Sequence, residues 1–290
     1  MRVEAFSPGH ITGFFLPMRH TDALRSGSRG AGLSISLGAR SVVSSSEGTG
    51  KIEVLLNGTH CSAPVTMHAA RALLGGKQLD LSIDTELQIP IAQGLGASAA
   101  GSLSAALAVA QLTGCGRQEA FEAAHRAEIA NNTGLGDIAG IYRGGMEFRR
   151  KEGLPPYGIV DRFGEELDLV IAVVGPATST AEFINDEVKM NQVQTAGEEC
   201  VNVFAERRDA DSFFRISRVF MEKSGIGTPE VRRALRAIDG LGQGSMSMLG
   251  NTVFATGDVE KIEEALSQLG RTFRCKVDVQ GARLVSSSGL

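Results

Sequence analysis

The chain has 290 residues, 42% of them hydrophobic and 21% charged, the composition of a soluble globular protein of one or two domains. Its formal net charge is -4 and its pI is near 5.8, so no basic excess points to nucleic acid or to an anionic membrane as partner. Trp is absent and Tyr occurs twice, so platforms for stacked bases are not expected.

In chain order, Val3–Phe6 reads as a short strand that ends at Ser7-Pro8-Gly9. The segment MRVEAFSPGH carries no apolar leader, and no stretch reaches roughly 18 apolar residues, so a cytoplasmic location is expected. Gly32–Val43 and Lys51–Leu56 read as strands, and Val65–Leu74 as a helix stopped by Gly75-Gly76. Leu79–Ile89 alternates with period two and feeds a glycine loop, IAQGLGAS. Ser98–Leu112 is an Ala/Leu-rich helix with few charges, hence one buried on most sides. A second helix, RQEAFEAAHRAEIANN, leads through Thr133–Asp137 (TGLGD) to a strand, GMEFRR.

Gly153–Gly158 (GLPPYG) is the candidate domain boundary, dividing the chain into 1–154 and 155–290. Beyond it, Leu167–Gly175 is a continuous apolar run suited to a central strand. Residues 180–223 read as helical. Thr228-Pro229-Glu230 is a helix start: a hydroxyl cap, Pro at the first position, an acid in the first turn. The glycine cluster GLGQGSMSMLG (Gly240–Gly250) precedes a strand (Asn251–Ala255), a helix (Asp258–Leu269) and a strand (Phe273–Val279). The cysteines Cys61, Cys115, Cys200 and Cys275 are scattered without CxxC spacing, and the histidines show no HxxxH pattern, so neither disulfides nor zinc is indicated.

Three local patterns carry chemistry. Gly94-x-Gly96-x-x-Ala99 matches a dinucleotide fingerprint literally, but no second strand with an acidic end lies some 20 residues on. The loop instead fits a phosphate cradle at a helix N-terminus, with Ser98 offering a hydroxyl; a plain turn capped by Ser98 satisfies the same spacing. On the next helix Phe121, His125, Glu128 and Asn132 share one face, and Asp137 comes after it in a glycine-rich turn. One carboxylate to hold Mg²⁺ and one to accept a hydroxyl proton are the parts phosphoryl transfer to an alcohol needs. A surface ion pair for Glu128 and a capping role for Asp137 fit as well. The Gly240–Gly250 cluster reads either as a helix end or as a second anion-cradling loop, with Gly244 and Ser245 as acceptor-site candidates.

Taken in order, SPGHITGFF (Ser7–Phe15), PIAQGLGASAAG (Pro90–Gly101) and GQGSMSMLG (Gly242–Gly250) resemble the three motifs of the GHMP kinases, over nearly the whole chain. Within that superfamily the chain is most similar to the archaeal pantoate kinases, on SPGHITGFF, GSRGAGLSI, GLGDIAG and GSMSMLGNTVFA. The resemblance implies an α+β, two-lobed GHMP-kinase fold: a ribosomal protein S5 domain 2-like N-terminal lobe that binds ATP, and a ferredoxin-like C-terminal lobe. It implies ATP and Mg²⁺ as cofactors and pantoate as the small-molecule substrate. Nucleic acid and membrane are not expected as partners, and a homodimer is compatible with it. Pro90, Gly94, Leu95, Gly96, Ala97, Ser98 and Ala99 match the phosphate-binding loop, Ser98 and Glu128 the metal ligands, and Asp137 the catalytic aspartate. Ser28, His125 and Arg149 are the candidates for holding pantoate, with Arg143 and Arg150 as competitors for its carboxylate.

There are two departures. His10 stands where many members have Lys, with Phe14-Phe15 in place of an acidic residue soon after, and Ala97 replaces the first Ser of Gly-Ser-Ser. These argue against mevalonate or galactose as acceptor. A homoserine- or shikimate-type kinase, or a non-catalytic nucleotide-binding protein of the same fold, remains the alternative.

Overall fold

Ser7-Pro8-Gly9 does not end the first strand. In the computed structural model, which describes residues 1–164, 166–178 and 187–288, β1 runs from Arg2 to Met18. It pairs antiparallel with β2, Gly27–Glu47. The ladder absorbs the proline at a register shift between Pro8 and Gly9, and shifts again between Thr12 and Phe14. A bulge accommodates a residue that cannot donate to the ladder, and it re-aims the side chains beyond it. Gly30, at φ +140°, lies against the carbonyl of Phe14, where a side chain would collide with backbone.

Among the described residues the first sheet holds eight strands. Its path is β12 (Arg283–Ser288), β1, β2, β5 (Leu79–Leu87), β3 (Ile52–Leu56) and β4 (Thr59–His60). β2 branches: Ala39–Glu47 pairs with β5, while Gly30–Leu33 pairs with β6 (Met146–Lys151), which in turn pairs with β7 (Ile159–Phe163). Gly153–Gly158 therefore joins two neighbouring strands of one sheet. That sheet also recruits β12 from the far end of the chain, so a cut at 154/155 would leave two of its strands, β7 and β12, on the other side.

The second sheet is β11 (Arg271–Lys276), β8 (Asp168–Val173), β10 (Thr252–Gly257) and β9 (Gly242–Met246), all antiparallel neighbours. β10 and β11 flank β8 and are linked by a helix, a split β-α-β unit of the ferredoxin-like kind.

Eight helices are described: α1 (Pro64–Leu74), α2 (Ala97–Thr113), α3 (Arg117–Asn131), α4 (Asp137–Ile141), α5 (Glu187–Glu206), α6 (Ala210–Ser224), α7 (Pro229–Ala237) and α8 (Val259–Ser267). The helical start expected at 180–186 lies outside the described residues. α2 is buried along fourteen of its seventeen residues, which explains why its sequence is apolar on every face. Thr228 caps α7, its hydroxyl accepting from the Val231 amide. No described helix is long and apolar enough to cross a membrane.

The two lobes meet on phenylalanines. Phe14 and Phe15 of β1 point into the helical layer, with ring centroids 5.3 Å from Phe204 and 5.6 Å from Phe220. Phe148 and Phe163 also pack on Phe204, at 5.2 and 5.0 Å. Such ring pairs add to the burial energy of large apolar side chains. Removing Phe204 leaves a cavity under three strands: Phe204→Ala should lower the unfolding free energy by about 3–5 kcal/mol. A urea midpoint shift worth under about 1 kcal/mol would show that the lobes are not joined there.

Candidate active site

The glycine loop is shaped first by its neighbours. Gly94 and Gly96 have φ +74° and +65°, values that disfavour any side chain. A Cβ on Gly94 would lie 2.9 Å from the Ser247 carbonyl oxygen, and one on Gly96 would lie 3.0 Å from the His10 nitrogen. Ser247 Oγ donates to the Gly94 carbonyl at 2.6 Å, and the His10 amide donates to the Leu95 carbonyl at 3.0 Å. Gly96, not Ser98, is the N-cap of α2, and no side chain caps it. The first helical bond runs from Ala100 to Gly96. The amides of Ala97, Ser98 and Ala99 therefore have no helical acceptor, the arrangement that suits a helix start to meet an anion.

A cavity of about 340 Å³ opens beside it, lined by Gly94–Ser98, Asn131–Asp137, Ser28, Met248 and Leu249 among others. Pro90 and Ala99 do not line it; Ala99 faces the core.

Glu128, in the last turn of α3, is 3% exposed. It accepts from Ser98 Oγ at 2.5 Å and from Thr133 Oγ1 at 2.9 Å. Burial pushes its carboxyl up to about 7; the nearby charge of Asp137 adds to the rise, and the two hydroxyls oppose it. α3 ends at Asn132, at φ +53°, so the chain turns back and starts α4 with Asp137. A Cβ on Gly134 would strike the Glu128 carboxylate and lie 3.3 Å from Asp137 Oδ2. Glycine there leaves the space between the two carboxylates open. Among the described residues no group of three or more His, Cys, Asp or Glu could hold a metal ion. The Ser98 and Glu128 oxygens still form a hard donor pair, suited to a cation that keeps water and phosphate oxygens as its other ligands.

Behind Asp137 lies a chain of buried charges that sequence reasoning missed. Asp137 Oδ1 meets His10 Nδ1 at 2.8 Å, and His10 Nε2 meets Glu147 Oε1 at 3.1 Å. Arg149 Nη1 donates to the same Glu147 oxygen. His10 and Glu147 are fully buried and Arg149 is 1% exposed. Burial alone would lower the His10 pKa, but its bonds to the two carboxylates outweigh that and raise it above the usual value. Period two on β6 was the available signal: if Arg149 faces the site, so does Glu147, while Phe148 faces the core.

Arg149 stands opposite Gly30 in the β2–β6 ladder, and its Nε and Nη2 have no partner. A Cβ on Gly136 would strike Ser28 Oγ and lie 3.2 Å from Arg149 Nε, so Ser28, which lines the cavity, and Arg149, which sits just behind its wall, flank the same glycine. Arg150 is on the opposite face, paired with Asp161 at the surface, and Arg143 is exposed.

His125 is not brought to the cavity. Its Nε2 faces the carbonyls of Ala23 and Ser26 at 3.1 and 3.0 Å, and burial lowers its pKa, so it acts as a neutral tie for the turn before Ser28. Gly244 and Ser245 are not in a cradling loop either. They lie within β9, paired with β10, where a Cβ on Gly244 would meet Ile238 at 2.7 Å and the Phe254 carbonyl oxygen at 3.0 Å. Strand packing requires that glycine, and the segment that does reach the cavity is Met248–Leu249.

Comparison with known proteins shows the family. Residues 64–145 match the family model of the GHMP kinase N-terminal domain. The chain is 32% identical over 274 residues to a pantoate kinase of Thermococcus kodakarensis, covering 91% of each. It is 31% identical over 296 residues to a pantoate kinase of Methanospirillum hungatei, covering 98% of this chain and 96% of the relative. A solved structure described as a phosphotransferase related to the CoA biosynthesis pathway superposes with a TM-score of 0.91 at 28% identity, over 100% of both chains. A homoserine kinase from Cytophaga hutchinsonii shares the fold, with a TM-score of 0.73 at 17% identity over 98% and 97%. The chain belongs to the pantoate kinase family of the GHMP kinases.

Proposed function

We propose that this protein transfers the terminal phosphoryl group of ATP to the primary hydroxyl of pantoate, giving 4-phosphopantoate on the route to coenzyme A. One observation carries the reading. The cavity is walled by an uncapped helix terminus and by Asp137, and its lining glycines Gly134 and Gly136 lie against the Glu128 carboxylate and the unpartnered Nε of the buried Arg149.

The phosphates lie on the Gly94–Ser98 loop, against the free amides of α2. Ser98 and Glu128 hold Mg²⁺, which when bound neutralises phosphate charge. Arg149 offers Nε and Nη2, a planar pair that matches the two oxygens of a carboxylate, and Ser28 Oγ meets the acceptor beside it. Asp137 keeps Oδ1 on His10 and leaves Oδ2 to take the acceptor hydroxyl as a hydrogen-bond donor. Most of the rate gain is then positioning and charge neutralisation, because phosphoryl transfer needs little covalent assistance.

ADP release measured in parallel with pantoate, homoserine, shikimate and mevalonate tests the reading: turnover should be fastest with pantoate, and none with pantoate would refute it. Asp137→Asn should lower kcat by roughly 10²-fold or more while leaving the fold intact. Near wild-type turnover in that variant would remove Asp137 from the reaction. Arg149→Ala should mainly raise the KM for pantoate, since it loses a contact already made in the ground state. An unchanged KM would exclude Arg149 as the carboxylate anchor.

Glu128 also gives a pH signature. Its folded pKa, about 7, lies above the unfolded value of 4.5. Below pH 4.5 both states bind the proton and no cost arises. As pH rises from 4.5 to about 7 the unfolded chain ionises while the buried group resists, so stability falls, by up to about 3 kcal/mol from this group, and the loss is complete above about pH 7. In metal-free buffer Glu128→Gln should therefore be more stable relative to wild type at pH 8 than at pH 5, as read from urea unfolding. An equal difference at both pH values would contradict the burial of Glu128.

A further inference from the structure

We infer that Glu147 is a positioning residue that ties the acceptor's carboxylate site to the catalytic aspartate through His10. The inference rests on the proposed reaction and adds a residue and a direction of coupling to it.

The geometry is a line of alternating charge: Asp137, His10, Glu147, Arg149. His10 has a carboxylate oxygen at each ring nitrogen. A neutral imidazole would turn a lone pair toward one of them, whereas the imidazolium donates to both. The charged groups facing His10 are Asp137 from α4 and Glu147 from β6; β2 presents Gly32 and the phosphate loop presents Gly96. Space for the ring has been carved by glycine. A Cβ on Gly140 would collide with the imidazole, and one on Gly32 would come within 2.6 Å of Nε2 and 2.8 Å of Glu147 Oε1.

Glu147 is the shared link. Its Oε1 accepts from both His10 and Arg149, while Oε2 is buried without a partner. Packing alone gives little reason for a fully buried carboxylate, because apolar residues of similar volume are commonly as stable as a buried ion pair. The shared oxygen has a consequence. When an acceptor carboxylate engages the guanidinium, Arg149 holds Glu147 less strongly and the charge of Glu147 falls more fully on His10. His10 then keeps its proton more firmly and fixes Asp137 Oδ1, which leaves Oδ2 aimed at the hydroxyl. An acceptor lacking a carboxylate would occupy the cavity without ordering the aspartate.

The test combines kinetics with an NMR titration of the His10 imidazole. In Glu147→Gln, kcat should fall roughly 10-fold or more with the KM for ATP unchanged. The loss of kcat at high pH should begin about one pH unit or more lower than in wild type, and the His10 titration midpoint should drop by a similar amount. Glu147→Asp, which keeps the charge, should recover part of both. Phe148→Leu, a core change on the same strand, should lower stability without moving either readout. In the wild-type protein, saturating pantoate should raise the His10 midpoint, a measurement that needs no variant to fold. An unmoved midpoint in Glu147→Gln, or in wild type with pantoate bound, overturns the coupling. Absence of pantoate turnover by wild type would instead overturn the proposed reaction, while the titration of His10 in Glu147→Gln would still decide whether Glu147 governs its proton.

Discussion

Much of this site hangs on seven residues of β1, from Gly9 to Phe15. After the register shift at Pro8, the strand carries His10 in under the phosphate loop, where its amide holds Leu95 and its ring holds Asp137 and Glu147. Two residues on, the Thr12 carbonyl accepts from Met248, anchoring the loop of the second lobe that closes the cavity. Phe14 and Phe15 then lock the same strand into the helical layer. One strand thus sets the distances among three loops that arrive from distant parts of the chain. A ladder with many hydrogen bonds and a phenylalanine joint is stiff enough for that, which is what a reaction based on positioning requires.

The electrostatics run against stability and toward function. A glutamate with its carboxyl pushed up to about 7, and a buried arginine with two free donors, are groups that folding alone would not favour. Both are costly without a ligand, and the proposed reaction would relieve both, with a cation at Glu128 and an anion at Arg149. The glycines at 134 and 136 keep these groups reachable, since a methyl at either position would fill the space in front of them. The lone β-carbons missing from this loop matter as much as the side chains present.

The sequence was most legible where a motif names its own geometry. The glycine loop, Glu128 and Asp137 could be picked out because their spacing and the order of the glycine clusters match a known pattern, and Arg149 only as one of three candidate arginines; the loop and Asp137 line the cavity, with Glu128 and Arg149 against the glycines of its wall. The late strand–helix–strand unit was readable from periodicity, though not the insertion of β8 between its strands, which depends on a partner far away in sequence. Ser7-Pro8-Gly9 misled because a turn signal is also the signal for a bulge. Gly244 and Ser245 misled because a glycine that yields to a neighbouring strand looks the same in sequence as one that yields to a phosphate. Glu147 was passed over because an acid in a strand ordinarily faces water; only after Arg149 is placed inward does alternation bring Glu147 with it.

The central claim is that this cavity directs phosphoryl transfer to the primary hydroxyl of a carboxylate-bearing acceptor. The most direct test is to incubate the protein with ATP, Mg²⁺ and pantoate and to locate the phosphate by phosphorus–proton NMR correlation. The account predicts a phosphomonoester whose phosphorus couples to the two protons of the methylene group. Phosphate on the secondary hydroxyl, or no phosphorylated acid at all, would contradict it.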